Sequence, residues 1–399
     1  MLFRSSGSAS GDFNFGQRTF AYTPPSGYKS LCTQNLSDPS ILIGNKYMDA
    51  TLWTGSSSST GASASIVNAG AFQPDFVWIK NRSNAYAHNL YDSVRGTGSS
   101  KNLFSNTTNA EGVDANLYGY VSALNSNGFT VTNGSDATYA GIWVNQSSQT
   151  YVAWQWKAGG AAVTNTAGSI TSSVSANTTA GFSVVTYTGN NVTAATVGHG
   201  LGVKPAMVIV KERTSTHDWF VWHQSLPSGY QLRLNTTAAQ EQVSSATNYG
   251  GLGTPTSTTF GFIAGLIDVE NVNTSGYNYV AYCFAAIAGY SAFGSFTGNG
   301  STDGPFIFTG MRPRYILIKD ATNAGNWVVH DTSMTPYNVS TIHLRPNSSS
   351  GDDTGTGEYI DILSNGFKIR GSGGNVNTSS DSYIYAAFAE NPFQNALAR

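Results

Sequence analysis

This chain is poor in charge, nearly free of cysteine and without a long apolar run, and each shortage removes a class of protein. Charged residues make up 11% of its 399 positions, with a formal net charge of −2; a typical globular chain carries about 25%. Nucleic-acid binding needs a clustered Lys/Arg surface, which this balance does not supply. No basic amphipathic stretch suits anionic lipid either. Apolar runs such as Tyr279 to Ala288 fall well short of the roughly 20 residues that cross a bilayer as a helix. Cys32 and Cys283 are the only cysteines. Two thiols so placed build neither a disulfide framework nor a zinc site, so no cofactor and no metal is expected. Helical patterns are scarce too: only Thr237–Val243 and Asn391–Arg399 permit one.

What the chain has instead is repetition. Reading from Pro74, Pro205 and Pro313, three segments run PDFVWIK, PAMVIVK and PRYILIK, ending on Lys80, Lys211 and Lys319. An LxxN string follows each: LFSNTT at 103–108, LRLNTT at 232–237 and LRPNSS at 344–349. Next come Gly128-Phe129, Gly261-Phe262 and Gly366-Phe367. Last is an Asn-x-Ser with a Tyr six residues beyond its Asn, as Asn145/Tyr151, Asn273/Tyr279 and Asn377/Tyr383. An aromatic stands five past each Tyr: Trp156, Phe284 and Phe388. The opening is shared as well, as Trp53-Thr54-Gly55, Tyr187-Thr188-Gly189 and Phe296-Thr297-Gly298. Ordered landmarks at near-fixed spacing mean three copies of one unit. Each copy is large enough to bury its own core, which makes these domains in series, not short solenoid repeats.

The copies read as β-structure. Twenty Phe, 21 Tyr, 8 Trp and 44 Gly fall in short runs separated by turn residues. FVWIK, MVIVK and YILIK are apolar at nearly every position, the mark of central strands covered on both faces. The expected fold is all-β: three tandem β-sandwich or jelly-roll-like repeats behind a short N-terminal β segment. The boundaries are 1–48 for that segment, 49–160 for the first repeat, 161–180 for a linker, 181–290 for the second repeat and 291–399 for the third with a C-terminal tail. The linker reading rests on a stretch with no aromatic and no charge, although Ile170 and Val174 could still fix it as an extended strand against a neighbour. Residues Phe13, Phe15, Phe20 and Tyr22 alternate with polar ones and ask for a partner surface.

Candidate chemistry is thin. His88 sits where the other copies carry Trp219 and Trp327, eight residues past the Lys, which marks a packing position. His217 and His223 share a strand face but stand too far apart for one metal. The carboxylate pairs Asp268/Glu270, Asp352/Asp353 and Glu358/Asp361 do not recur among the copies, and sequence neighbours on loops are usually just solvated, so none is read as the facing pair a glycosidase needs. Lys80, Lys211 and Lys319 recur without an acid or His partner; the expectation is a packed stem with the ammonium emerging at the strand end. Asn106, Asn145, Asn235 and Asn377 head Asn-x-Ser/Thr triplets and are expected to cap turns. No catalytic, cofactor-binding or metal residue is proposed, and receptor-binding residues are not assigned.

The stretches FGQRTFAYTPPSGYKSLCTQNL (15–36), FQPDFVWIKNRS (72–83) and YDSVRG (91–96) resemble tail-fibre and other virion structural proteins of marine bacteriophages, cyanophages included. So do SSVSANTTAGFSVVTYTG (172–189), TVGHGLGVKPAMVIVK (196–211) and YIYAAFAENPF (383–393). The resemblance implies a virion component on the particle exterior, assembled in the host cytoplasm and released by lysis. It would be a tail fibre, spike or tail appendage that binds a host-surface glycan or protein and contacts other virion proteins. The alternatives it leaves are a head or tail decoration protein without a host ligand, and a polysaccharide depolymerase. It supplies no catalytic residue, and the expected assembly is a homotrimer held by the N-terminal segment and the 161–180 face.

Overall fold

The computed structural model describes residues 39–243, 251–263, 271–355 and 357–390, together with Arg18, Tyr22, Thr23 and Pro25. The chain is all-β. Helical turns among the described residues are limited to Gly44–Lys46, Ala115–Tyr118 and Gly374–Asn377. No described helix is long and apolar enough to cross a membrane.

Three sheets repeat one topology. Each lays its strands in the order opening, closing, central, fourth: Met48–Thr54, Thr150–Trp156, Phe76–Asn81, Asn89–Asp92 in the first repeat. The second uses Phe182–Thr188, Asn278–Phe284, Met207–Glu212 and Trp219–His223, and the third Ser291–Thr297, Ser382–Ala389, Pro313–Asp320 and Val328–Asp331. All pairings are antiparallel, and the register is the same each time. Lys80 faces Val152, Lys211 faces Val280 and Lys319 faces Ile384, each one residue past the closing Tyr. A smaller sheet covers the outer face of each large one: Ser63–Val67 with Gly128–Thr132 and Tyr120–Asn125, Thr196–Gly198 with Thr259–Gly261, and Phe306–Phe308 with Gly366–Ile369 and Ile360–Leu363. Each repeat is thus a two-layer sandwich.

The shared landmarks explain themselves at the turn after the opening strand. The ring of its last aromatic stacks on the closing Tyr, Trp53 on Tyr151 at 5.2 Å, Tyr187 on Tyr279 at 4.9 Å and Phe296 on Tyr383 at 5.1 Å. The repeated Asn then caps the turn: Asn145, Asn273 and Asn377 accept through Oδ1 from the backbone N–H of Ser56, Asn190 and Asn299 at 2.9, 3.0 and 2.9 Å. The closing Tyr hydroxyl accepts from the N–H of Gln146, Thr274 or Thr378. The intervening Gly is forced by close approach. A Cβ on Gly55, Gly189 or Gly298 would stand 2.0, 2.2 and 2.2 Å from a backbone carbonyl oxygen. Gly189→Ala should therefore cost about 2 kcal/mol as backbone is pushed apart, and a urea melt at constant slope reads it directly.

The central strands are apolar on both faces because both are covered, as their sequence predicts. Val77 and Ile79 point into the first repeat's own sandwich, with Phe129, Val131 and Tyr151. Phe76 and Trp78 point the other way, into a core that contains residues of all three repeats. At its middle Trp156, Phe284 and Phe388 meet pairwise edge to face, at 6.1, 5.7 and 5.8 Å. These are the equivalent aromatics five past each closing Tyr. The three repeats therefore surround a pseudo-three-fold centre within one chain.

Two expectations change. The stretch 161–180 is not a free linker: Val163–Asn165 and Ser172–Asn177 form strands that extend the second repeat's sheet beyond its opening strand. Ile170 and Val174 are buried in that repeat's outer core, and alternation around them outweighs the polar composition. Thr237–Val243 is no helix. Glu241–Gln242 pairs as a strand with Tyr230 and Gln231, held by the Arg233 guanidinium on Glu241 at 2.9 Å. The Asn391–Arg399 expectation, Cys32, Asp268, Glu270 and most of 13–22 lie outside the described residues.

Candidate functional site

The seams between repeats absorb most residues that looked chemical. Trp219 donates its indole N–H to the Phe104 carbonyl of the first repeat at 2.8 Å, and Trp327 donates to the Arg233 carbonyl of the second at 3.0 Å. His88, at the same position, closes the circle by donating from Nε2 to the Arg345 carbonyl of the third at 3.0 Å. Its Nδ1 accepts from the Trp78 indole, which fixes a neutral tautomer; burial first, and then Lys80, hold its pKa well below the usual value. A second set of contacts runs around the ring in the same sense. Tyr282 donates to Asp92, and Trp154 donates to Asp331, both at 2.8 Å. In the third repeat the matching donor position is Ala386; there His223 of the second repeat reaches across and donates to the Tyr385 carbonyl at 3.1 Å.

Lys80, Lys211 and Lys319 are fully buried, so the ammonium does not emerge at the strand end as the sequence suggested. Lys211 donates to the His217 carbonyl of its own turn at 2.8 Å and to the Thr108 carbonyl of the first repeat at 3.1 Å. Lys319 likewise reaches Asp320 and, at 3.4 Å, Thr237 of the second repeat. Lys80 donates to the Asn81 and Asn84 carbonyls. Neighbouring repeats cover the strand end, and carbonyls take the place of water. Burial lowers the three pKa values to about 7, 8 and 8, opposed in part by Asp352, by Glu212 with Asp218, and by Asp320 respectively.

The Asn residues of the triplets accept from backbone N–H groups of other segments, not from those of their own turns as the sequence suggested. Asn106, Asn235 and Asn347 accept from the N–H of His88, Trp219 and Trp327 at 3.0, 2.9 and 2.9 Å. His217 pairs with Glu212, and His343 with Glu358. Asp352 bridges to Arg82 of the first repeat, Asp353 to Arg345 and Asp361 to Arg370. Among the described residues no group of three or more His, Cys, Asp or Glu could hold a metal ion. Cys283 is a buried free thiol whose pKa burial pushes up. Chelator together with reductant should leave the melting temperature unchanged, as differential scanning calorimetry would show.

Two polar clefts among the described residues are open to solvent: a smaller one of about 310 Å³ in the second repeat, beside Thr164, Ser172, Thr188, Arg213 and Asn278, and a larger one in the third. The larger cleft, of about 540 Å³, is lined by Asp320, Asn323, Arg345, Glu358, Asn375 and Asp381, among others. Asp320 follows Lys319 and accepts from the N–H of Thr322 and Asn323 at 2.8 and 3.0 Å. Asn81 and Glu212 cap the corresponding turns in the same way. What differs is the opposite wall. Asn81 meets Gln149, and Glu212 meets His217. Asp320 instead lies near the acid Asp381, whose two oxygens accept from Asn323 Nδ2 at 3.0 Å. Burial raises the Asp320 pKa, turn N–H groups oppose this, and the Asp381 charge adds to the rise. Glu358 goes the other way: burial would raise it, but hydrogen bonds from His343 and Asn375 and the charges of His343 and Arg345 bring it to about 2. The cleft therefore offers fixed carboxylates, a guanidinium and several amides, the donors and acceptors that suit hydroxyl-rich ligands.

A family described as a domain of unknown function (DUF7483) matches residues 44–392. The chain belongs to the DUF7483 family. The matched span takes in all three repeats, so the closed ring, and not the single sandwich, is the family's unit. No curated protein and no solved structure matches the chain. Of the cleft residues, sequence reading singled out Glu358 alone, within its pair with Asp361. Comparing the residue after the repeated Lys (Asn81, Glu212, Asp320) was the available signal, since a position that keeps its turn-capping role while changing charge marks a wall that has been altered.

Proposed function

We propose that this DUF7483 protein is a virion structural component on the outside of a bacteriophage particle, in a tail fibre, spike or tail appendage, and that it binds a host-surface glycan or protein. The observation that supports the binding role is the asymmetry of the ring. Three repeats share one architecture and nearly identical seams, yet in the third the wall facing the turn after the repeated Lys is acidic, and Asp320 and Asp381 line a polar cleft of about 540 Å³. Low charge and abundant Asn, Ser and Thr fit a ligand recognised by hydrogen bonds more than by charge. The resemblance of 72–96 and 172–211 to phage virion proteins supports the location.

Binding is favoured over hydrolysis because the cleft acids are engaged internally, Glu358 by His343 and Arg345 and Asp320 by its turn. The other reading is a head or tail decoration protein with no host ligand. Gold-labelled antibody on particles released by lysis, viewed by electron microscopy, should mark the tail. Label spread over the head shell, with no signal on a glycan array, would replace this reading by the decoration one. A homotrimer of chains would be held by the N-terminal segment, because the 161–180 stretch is spent as edge strands of the second repeat. Light scattering at micromolar concentration separates 42.1 kDa from three times that mass.

A further inference from the structure

The three repeats act as internal controls for one another, and one position departs from the pattern. In the small outer sheet of the first and third repeats, the edge strand turns one residue inward and the residues on either side of it outward. The inward residues are Ile66 and Ile307, both buried. The outward pairs are Ser65 and Val67 in the first repeat and Phe306 and Phe308 in the third; in the second repeat the strand begins only at Thr196, behind Ala194 in a turn with φ of 60°. The two phenylalanines are 46% and 65% exposed. Neither the closed ring nor the sandwich needs two aromatic rings there, since the first repeat folds with Ser65 and the exposed but smaller Val67 at the same positions. Leaving two rings in water forgoes burial of roughly 1.5–3 kcal/mol each and puts an apolar face on a sheet edge, which proteins otherwise blunt.

The surroundings define what the rings can take. Phe306 and Phe308 project from alternate positions of one strand, about 7 Å apart along it. Gly366 stands beside Phe308 on the neighbouring strand and offers no side chain to cover it, and Leu363 continues that row. In the other row Phe306 is followed by Lys368 and Asp361. Each charge of this rim is matched: Lys368 with Asp303 at 2.8 Å, and Arg370 with Asp361 at 3.5 Å. The face is thus two uncovered rings bordered by paired ions that sum to zero. A charged partner gains nothing from such a border. A neutral sugar does: its C–H face meets the electron-rich ring face, and its hydroxyls find both donors and acceptors at the rim.

We infer that the Phe306–Phe308 face of the third repeat is a stacking platform for a neutral polysaccharide chain. This rests on the host-glycan reading above and gives it a place and a ligand class. The test is affinity electrophoresis of the full chain in gels cast with a soluble β-glucan, a mannan, a galactan or, as the charged comparison, alginate. The variant Phe306→Ser with Phe308→Val carries the first repeat's own residues, so a matching melting curve shows that it folds. Wild-type protein should be retarded by at least one neutral polymer and less by alginate, and the variant should lose at least tenfold in affinity. Equal retardation of variant and wild type would overturn the platform while leaving the glycan reading in place. Retardation of the wild type by alginate alone would also overturn the platform, and no retardation by any polymer, alginate included, would overturn both. Self-association of the wild type that the variant abolishes, without polysaccharide binding, would assign the face to a second copy of this chain.

Discussion

Phe284→Ala should lower the stability of the entire chain by about 3–5 kcal/mol, in one transition and without the loss of a single repeat alone. Phe284 is almost fully buried and meets Trp156 of the first repeat and Phe388 of the third edge to face at 6.1 and 5.8 Å. It also stacks on Phe182 at 4.8 Å in its own sheet. Truncation removes ring area from the one place where all three sheets share atoms, and three flanking β-sheets cannot collapse into the void. The seams depend on that centre, because the hydrogen bonds of Trp219, Trp327 and His88 hold their carbonyl acceptors only while the repeats stay docked. Urea unfolding followed by both tryptophan fluorescence and far-ultraviolet dichroism should give coincident curves, shifted together. A variant in which the second repeat melts first, leaving the others folded, would show the ring to be three independent domains in contact.

The second large effect is a stability that climbs with pH well beyond neutrality. Lys80, Lys211 and Lys319 have folded pKa values of about 7, 8 and 8, below the 10.5 of the unfolded chain. Between those limits the unfolded state holds more protons, so unfolding becomes harder as pH rises; the gain is complete above the unfolded value and is lost as pH falls through the folded one. The buried imidazoles act in the same direction lower down, with His223 at about 4 and His330 at about 3. Opposing them, burial raises the Cys283 thiol and phenols such as Tyr315 and Tyr290. Their contribution is present below the unfolded values of 9.0 and 10.0 and is lost above them. The maximum should therefore fall near pH 9, with roughly 5 kcal/mol gained from pH 6, of which most comes from the three lysines. Lys211→Met should flatten the rise around pH 8. A urea midpoint that is level from pH 6 to 9 would mean that the lysines keep water.

The strand content, the three copies and their order could be read from the sequence, because each rests on local pattern. An apolar run such as FVWIK between turn residues can only be a strand covered on both faces. Gly189 and Asn273 mark the same turn in each copy because the backbone there admits no Cβ and needs one extra acceptor. What covers the second face of those strands was not legible. Trp156, Phe284 and Phe388 looked like core residues of separate domains, and their meeting at one centre follows from how three sheets dock, which no local spacing encodes. The same docking turned Lys80, Lys211 and Lys319 from strand-end cations into buried donors, since it brings another repeat's chain over the strand end. It also decided between two readings of 161–180, a free linker or an extended strand fixed by Ile170 and Val174, in favour of the strand. The cleft of the third repeat needed Asp320, Glu358 and Asp381 to converge from distant positions in the chain. The sequence determined the unit and its repetition; only the closed ring decided which faces became core, which lysines lost water and which side chains converged on the third repeat's cleft.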